Sequence, residues 1–416
     1  MFFRDRIRVI LRSLRYREGW SFGPRQSLGF LKYVWHMRPM WRGTTAELNA
    51  YSPPIGGAGY GRYLRGLQRM SRRDWVPLVA HVSVSDRCPY VCRRCSNISR
   101  GPDDPPRGTL VRLFDQLRAA GTARVALTGG EPLVREDLED LVAACGPELS
   151  PLLFTSGWGL GADRARRLRQ AGLTAAFISL EHFWADEHDR VRGRGGAWEQ
   201  AVAAIRACLQ AGIYTAAQAV VEPALLNDGT MDAYLQFCRR LGVDEVMLLE
   251  PIPVGHGRDD RESASSAPMP PWPSADDHHP GISETDRQQL RNLHLRATRD
   301  ATLPKVSSMS LLESPDCLGC QAGFSFLYIT AQGEVFPCDF VPLSVGNVFQ
   351  LGVPEVCRRL VELLTAPSQA CLALRLRERC QEQTTWPLTW EQGRVILRDY
   401  DPGPLPGLLR SLCRDR

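Results

Sequence analysis

Long apolar runs are missing from this chain. No stretch of the 416 residues approaches the ~18 consecutive apolar residues that cross a bilayer, so no membrane span is expected. The start, Met1-Phe2-Phe3-Arg4-Asp5-Arg6-Ile7-Arg8, is cut up by arginines and lacks the unbroken apolar core of a secretion signal. No internal repeat is visible, which sets aside repeat architectures. Without an export signal the expected compartment is the reducing cytoplasm, and disulfides are not expected there. The 13 cysteines therefore read as metal or cluster ligands where they are grouped. Scattered ones such as Cys145, Cys208 and Cys238 read as small buried apolar residues.

What is present is ordinary in bulk: 44% hydrophobic and 23% charged residues, as in a globular protein with two or three domains. The net charge of +5 is unevenly placed. Residues 1–43 carry ten Lys or Arg against Asp5 and Glu18, and the remainder is near neutral or slightly acidic.

Residues 1–16 suit an amphipathic helix, with Phe3, Ile7, Ile10 and Leu14 on one stripe and Arg4, Arg8, Arg12 and Arg15 beside them. Trp20, Phe22, Phe30, Tyr33, Trp35 and Trp41 follow. Two readings stay open: a helix lying on an anionic membrane surface, or one packed on its own protein. Residues 51–60 read as a loop.

From about residue 79 the pattern alternates. Strand-like runs are Leu78–Val84, Arg124–Leu127, Leu152–Thr155, Ala175–Leu180, Tyr214–Val221 and Glu245–Leu249. Helical stretches lie between them: Gly108–Ala120, Arg135–Ala144, Ala162–Ala171, Gly196–Ala211 and Asp228–Leu241. Such alternation predicts a parallel sheet, curved into a barrel or doubly wound. Gly172, Gly212 and Gly242 stand where helix-stop glycines do. Residues 254–283, rich in Ser, Pro, Asp and His, read as a linker whose His278 and His279 are solvated, and a helix is expected over Ser283–Ala297.

Cys88-Pro89-Tyr90-Val91-Cys92-Arg93-Arg94-Cys95 brings three thiolates into one turn, with Arg87, Arg93 and Arg94 as cations that favour thiolate. Three thiolates can hold a 4Fe–4S cluster and leave its fourth iron open. Zinc is the competing reading, but a structural zinc site needs four protein ligands and His81 lies in the preceding strand. Thr128-Gly129-Gly130-Glu131-Pro132 then ends an apolar run: its glycines permit close backbone approach to a ligand, and Glu131 can accept from an ammonium.

Together these motifs resemble the radical S-adenosylmethionine (radical SAM) superfamily over roughly residues 79–255, and more weakly over 315–375. The resemblance implies an α/β fold, a partial (β/α)6 TIM-like barrel with a small C-terminal auxiliary-cluster domain. It implies Cys88, Cys92 and Cys95 as ligands of a 4Fe–4S cluster whose open iron binds SAM. It makes Gly129, Gly130, Glu131 and Pro132 the motif that meets the SAM amino group. Thr155-Ser156-Gly157 resembles the family's Thr-Asn-Gly, with Ser156 offering a shorter contact. Ile178-Ser179-Leu180-Glu181 resembles Val-Ser-Leu-Asp, with Glu181 for the usual Asp, and His188-Asp189-Arg190-Val191-Arg192-Gly193 matches the segment that follows. Ser179 and Arg192 are the implied SAM contacts there. Leu249-Glu250-Pro251 closes the sixth strand, beside the adenine in relatives. Before the third cysteine, where an aromatic or histidine is usual, stands Arg94, whose planar guanidinium can stack on a base.

Near the other end, Cys317-Leu-Gly-Cys320 is followed by Gly333 and Cys338, spaced as in the SPASM domain or its shorter Twitch form. The Gly333 turn would form a hairpin that brings the cysteines together. Cys357, Cys371 and Cys380 are too widely spaced for the full SPASM array, so one auxiliary 4Fe–4S cluster is implied, on Cys317, Cys320 and Cys338 with Cys371 as fourth ligand, or with an open iron. A small zinc ribbon is the competing reading.

The implied organisation is a basic, aromatic segment 1–78, a barrel 79–253, a linker 254–283, an auxiliary-cluster domain 284–400 and a tail 401–416. The implied activity is reductive cleavage of SAM to a 5′-deoxyadenosyl radical and hydrogen abstraction, with the auxiliary cluster helping to oxidise or crosslink a peptide, small-molecule or lipid-linked substrate. Partners implied are a low-potential donor of flavodoxin or ferredoxin type, and a membrane surface met by residues 1–43. The other class is a non-catalytic iron–sulfur or zinc protein that binds nucleic acid through its basic end; a Gly-Gly-Glu-Pro motif is superfluous to it, and no base-reading residues are evident.

Overall fold

A computed structural model describes residues 2–16, 18, 23–92, 95–97, 103–226, 229–252, 281–380 (of Glu378 the backbone only), 383 and 386–413. Arg93, Arg94, Trp20, Phe22, His278, His279 and most of the expected linker lie outside the described residues.

The centre is a sheet in the order β11-β10-β3-β4-β5-β6-β7-β8-β9. Its middle is the six expected strands: β3 Val79–Ser85, β4 Arg124–Gly129, β5 Leu152–Thr155, β6 Ala175–Ser179, β7 Tyr214–Val220 and β8 Glu245–Leu249, each parallel to its neighbours. Two short strands extend this set. β9 (Lys305–Ser308) pairs parallel with β8 on one edge, and β10 (Phe326–Ile329) pairs parallel with β3 on the other. β10 then folds back antiparallel on β11 (Val335–Phe336) through a turn at Gly333, φ +90°, giving the expected hairpin. Segments beyond residue 284 thus complete the same sheet that the six strands begin.

Helices cover the outer face: α4 Arg107–Ala120, α5 Leu138–Cys145, α6 Ala162–Ala171, α7 Ala185–Arg192, α8 Ala197–Gln210, α9 Thr230–Leu241 and α10 Glu284–Ala297. Before them lie α1 Phe2–Ser13, α2 Pro24–Trp35, the ribbon β1 (Met40–Arg42) with β2 (Thr45–Glu47), and α3 Tyr60–Ser71. α6 and α9 stop at Gly172 (φ +110°) and Gly242 (φ +84°), where a left-handed residue lets the chain turn straight into the next strand. Ser283 opens α10 with a capping box closed by Asp286.

Alternation along the strands makes two apolar layers. Ala80, Val82, Val84, Leu127, Leu153, Ala176, Ile178, Ala217 and Leu248 face the helices, and Cys145, Cys208 and Cys238 are fully buried among them. Val79, Ala126, Leu152, Ala175, Phe177, Ala216 and Met247 face the concave side. The N-terminal segment fills that side from below: Tyr33, Val34, Met37, Leu48, Ile55, Tyr60 and Leu64 pack into the same cluster. The start of the strands is also where charge is buried. Arg124 donates to Glu47 at 3.2 Å and to the Ser52 carbonyl, while Lys305 reaches Glu245 at 2.8 Å and Tyr214 Oη at 2.9 Å. Burial pushes the Glu47 carboxyl upward and Arg124 pulls it back down.

α1 packs on its own protein, but not through its apolar stripe. Arg6, Val9 and Ser13 are buried, whereas Phe3, Ile7, Leu11 and Leu14 are exposed. The guanidinium of Arg6 donates to the carbonyls of Met37 and Thr298, which fixes the helix with this face inward.

Candidate active site at the barrel mouth

The expected motifs all come to the C-terminal ends of the strands, where barrel active sites form. The cysteine loop leaves β3 and is held from two sides. From the β4 turn, Gly130 N–H donates to the Ser85 carbonyl at 2.6 Å and Glu131 N–H to the Arg87 carbonyl at 2.9 Å. A Cβ on Gly130 would lie 2.4 Å from the Arg87 carbonyl oxygen, so only glycine allows this approach. From the end of α7, Gly193 (φ +67°) sits against Val91, whose carbonyl oxygen a Cβ would meet at 2.1 Å, and Arg194 donates to the Pro89 carbonyl at 2.8 Å. Val91 itself is 73% exposed at the tip of the loop.

The segment His188–Gly193 divides its work residue by residue. The backbone N–H of Glu181 donates to His188 Nδ1 at 3.0 Å, which makes that nitrogen an acceptor and the ring neutral. Burial holds the His188 pKa down at about 3. Asp189 accepts from the N–H groups of Gly196 and Trp198 at 2.6 and 2.8 Å and so caps the start of α8. Arg192 faces the thiols of Cys92 and Cys88, and its head stands 3.5 Å from Glu181. Its Nε is buried with no partner. Burial raises the Cys92 thiol to about 11, Arg192 opposes that rise, and Cys95 and Cys88 add to it. Arg192, not Arg87, is therefore the cation at the sulfurs among the described residues; Arg87 is paired with Asp104.

Glu131 is buried, and all four lone-pair positions of its carboxylate are taken. Oε1 accepts from Leu133 N–H and Thr155 Oγ1, and Oε2 accepts from both the N–H and the Oγ of Ser156. It ties β4 to β5, and Ser156 spends its hydroxyl on that bond. Pro132 opens the short turn after it, and Gly129 reaches φ +134° against Ser85. Ser179 ends β6, and Glu181 accepts from Val220 N–H at 3.0 Å. Glu250, at the end of β8, accepts from Arg287 and Ser310 at 2.9 and 2.6 Å.

In the second sulfur group Cys338 feels the thiols of Cys320 and Cys371, and Cys371 feels Cys320. Cys317 packs in the concave-side cluster with Tyr33, Leu408, Leu409 and Cys413, against which Cys338 also packs. The antiparallel bridge of Cys320 to Ser368 brings Cys371 in, a pairing with no signal in the spacing. Among the described residues no three His, Cys, Asp or Glu stand as ligands of a single ion. The chemistry of both donor sets, three soft thiols each and a buried cation with an orphaned nitrogen at the first, fits an iron–sulfur group.

The two sulfur groups lie toward opposite ends of one barrel interior: the Cys88 loop follows the end of β3, whereas β11 runs back past Tyr328 and His81, so that Cys338 comes to the level where β3 and β10 start. Asp86, just before the cysteine loop, accepts from Asn97 at 3.2 Å and from Gln332 in the β10–β11 turn. His81, on the concave side of β3, lies 3.0 Å from Asp339, next to Cys338, with its ring between Phe154 and Phe326. Tyr328 feels both Cys95 and Asp339. Glu313 carries exposed surface, and desolvation by its surroundings with the nearby Glu250 charge pushes its pKa up to about 7. Nothing local in the sequence marks Glu313, Asp339 or Tyr328.

Comparisons with known proteins agree with this geometry. The radical SAM superfamily description matches residues 82–241, and an iron–sulfur cluster-binding domain, SPASM, matches residues 320–373. The chain is 26% identical over 297 residues to an AdoMet-dependent heme synthase of Oleidesulfovibrio alaskensis, covering 66% of this chain and 73% of that one. It is 27% identical over 328 residues to a pre-heme d1 synthase of Dinoroseobacter shibae, covering 75% and 78%. A GTP 3′,8-cyclase of Listeria welshimeri is 28% identical over 182 residues, covering 42% and 54%. In solved structures, SuiB of Streptococcus suis bound to its precursor peptide SuiA superposes with a TM-score of 0.54 at 15% identity, over 71% of this chain and 67% of that one. The enzyme anSMEcpe with bound AdoMet superposes with a TM-score of 0.53 at 15% identity, over 78% and 96%. At such identity these two likenesses show the fold alone. With both domain descriptions matched, this chain is a radical SAM enzyme with a SPASM-type C-terminal domain that uses S-adenosylmethionine, a 4Fe–4S cluster and an auxiliary iron–sulfur cluster.

Proposed function

We propose that the enzyme oxidises or crosslinks a substrate held between its two sulfur groups. The observation that carries this reading is the shared barrel interior: Asp86, just before the cysteine loop, accepts from Gln332 of the β10–β11 turn, and His81 in the middle of β3 meets Asp339, beside Cys338. Cys88, Cys92 and Cys95 would hold a 4Fe–4S cluster, which would supply the electron for reductive cleavage of SAM and hydrogen abstraction from substrate. The chain's residues do the rest. Arg192 offsets charge at the sulfurs, Glu131 and Asp189 fix the strand and helix ends that frame SAM, and Gly129, Gly130, Pro132, Ser179 and Glu181 line its approach. Cys320, Cys338 and Cys371 would hold the auxiliary cluster, with Cys317 as the further candidate ligand. Glu313 and the His81–Asp339 pair are positioned to hold or accept a substrate proton. On this reading residues 79–253 are the catalytic barrel and 284–400 the part that carries the second cluster and completes the sheet.

A flavodoxin- or ferredoxin-type donor, and a membrane surface met by residues 1–43, belong to the same proposal. The test is anaerobic. Reconstituted, reduced protein should release 5′-deoxyadenosine from SAM, and Cys320→Ala/Cys338→Ala should halve the iron while that release persists. Absence of release from fully loaded protein would reject the reading.

A further inference from the structure

Two neighbouring helices carry most of the exposed apolar surface. Of twelve large apolar side chains exposed among the described residues, seven are Phe3, Ile7, Leu11, Leu14, Leu28, Leu31 and Trp35, on or just after α1 and α2. Phe3 and Trp35 meet edge to face at 5.8 Å, so the two helices present one surface. It is no accident of a loose helix, because the buried Arg6 anchors the opposite side of α1 to Met37 and Thr298. Contiguous apolar surface of this kind marks a contact site.

Charge selects the occupant. Arg4, Arg8, Arg15 and Lys32 are exposed around the patch, and Asp5 is the sole acid of α1. Apolar side chains ringed by cations fit the headgroup region of an anionic bilayer. A second copy would bring the same cations against these, and a nucleic acid would leave the apolar residues uncovered. Position adds a consequence. α1 and α2 lie at the N-terminal end of the strands, where Arg6 reaches Thr298 after α10 and Arg38 reaches Leu303 just before β9. The Cys88–Cys95 loop is at the opposite end, after β3.

We propose that α1 and α2 dock the enzyme on an anionic bilayer with the barrel mouth turned to the aqueous side. This deepens the membrane-contact reading above and sharpens it against a substrate whose reacting carbon stays in the bilayer. Flotation with phosphatidylcholine vesicles, with and without phosphatidylglycerol, tests it. Full-length protein should float with the anionic vesicles alone. Arg4→Gln/Arg15→Gln should weaken partitioning about 25-fold, at about fivefold per arginine. Phe3→Ser/Leu11→Ser, both at sites more than half exposed, should weaken it at least tenfold with an unchanged circular dichroism spectrum. Brominated lipid should quench Trp35 and spare Trp184, which is exposed beyond β6 at the mouth; each is identified by its change to Phe. Equal recovery with neutral vesicles, quenching of Trp184, or a dimer that the Phe3→Ser/Leu11→Ser change dissolves in protein that does not float would each overturn the proposal. Flotation needs no SAM and deoxyadenosine release needs no vesicles, so the two readings fail separately.

Discussion

The two ends of the barrel handle buried charge differently. At the start of the strands Arg124 meets Glu47, and Lys305 meets Glu245, so each buried charge has an opposite charge from within the chain. At the other end Arg192 keeps 15% of its side chain exposed, faces the thiols, and stands 3.5 Å from Glu181. Each end leaves buried polar atoms without a hydrogen-bond partner, Arg124 Nε at the first and Arg192 Nε at the second. One end is paired charge for charge and works as a foundation. The other turns its cation to sulfur. Strand direction alone does not make this difference; the N-terminal segment does, by supplying Glu47 and an apolar plug to one end.

That contrast can be broken experimentally. The largest effect is expected from Cys92→Ser at the mouth: cluster iron at the barrel loop and 5′-deoxyadenosine release should vanish, while the urea midpoint of the iron-free protein moves little. Next comes Lys305→Met at the closed end. It leaves Glu245 buried and unpaired and should cost about 3–5 kcal/mol in urea unfolding. The double change with Glu245→Met should restore most of that, with SAM cleavage per folded molecule unaltered. If the single change slowed SAM cleavage without lowering stability, the closed end would not be a mere foundation.

Each end also holds a neutral histidine, which sharpens the comparison in pH. His188 accepts from Glu181 N–H at the mouth; His294 accepts from Ser308 N–H at the closed end and lies 3.0 Å from the His36 carbonyl. Burial holds them at about 3 and about 4. Both lie below the ordinary value, so the unfolded chain binds more protons in the window between. Stability should be full above about pH 6.5 and fall as pH drops toward 4, by a few kcal/mol in roughly equal shares. Urea midpoints from pH 7 to pH 4 check this, and His294→Asn should flatten the slope by about one proton. The smallest stability effect is expected from Gly193→Ala: about 1–2 kcal/mol for a left-handed alanine, yet a clear loss of iron loading because Val91 must move.

Much of the mouth was legible in the residues. The six strands, the cysteine loop and the glycine turns have local signatures: period-two apolar runs, three thiols in one turn, glycine where backbones touch. His188-Asp189-Arg190-Val191-Arg192-Gly193 was legible as a motif, but the split of its duties was not. β9 was missed because its four residues, with Lys305 and Ser307 on the inner face, carry no periodic signal, and β10 was expected as an arm of the Gly333 hairpin but not as the neighbour of β3. The apolar stripe of α1 was read correctly as a stripe. Its exposure was not readable, since it depends on Arg6 finding two carbonyls, one of them 292 residues away.

Sequence by itself determined the superfamily chemistry, because cluster and SAM binding need particular residue types at short spacing, and short spacing survives without a fold. Only the tertiary structure decided which thiols stand near Cys338, which arginine faces the barrel sulfurs, and which end of the barrel the N-terminal helices close. Those are contacts between segments far apart in the chain. Their energies depend on burial and on partners that no local pattern specifies.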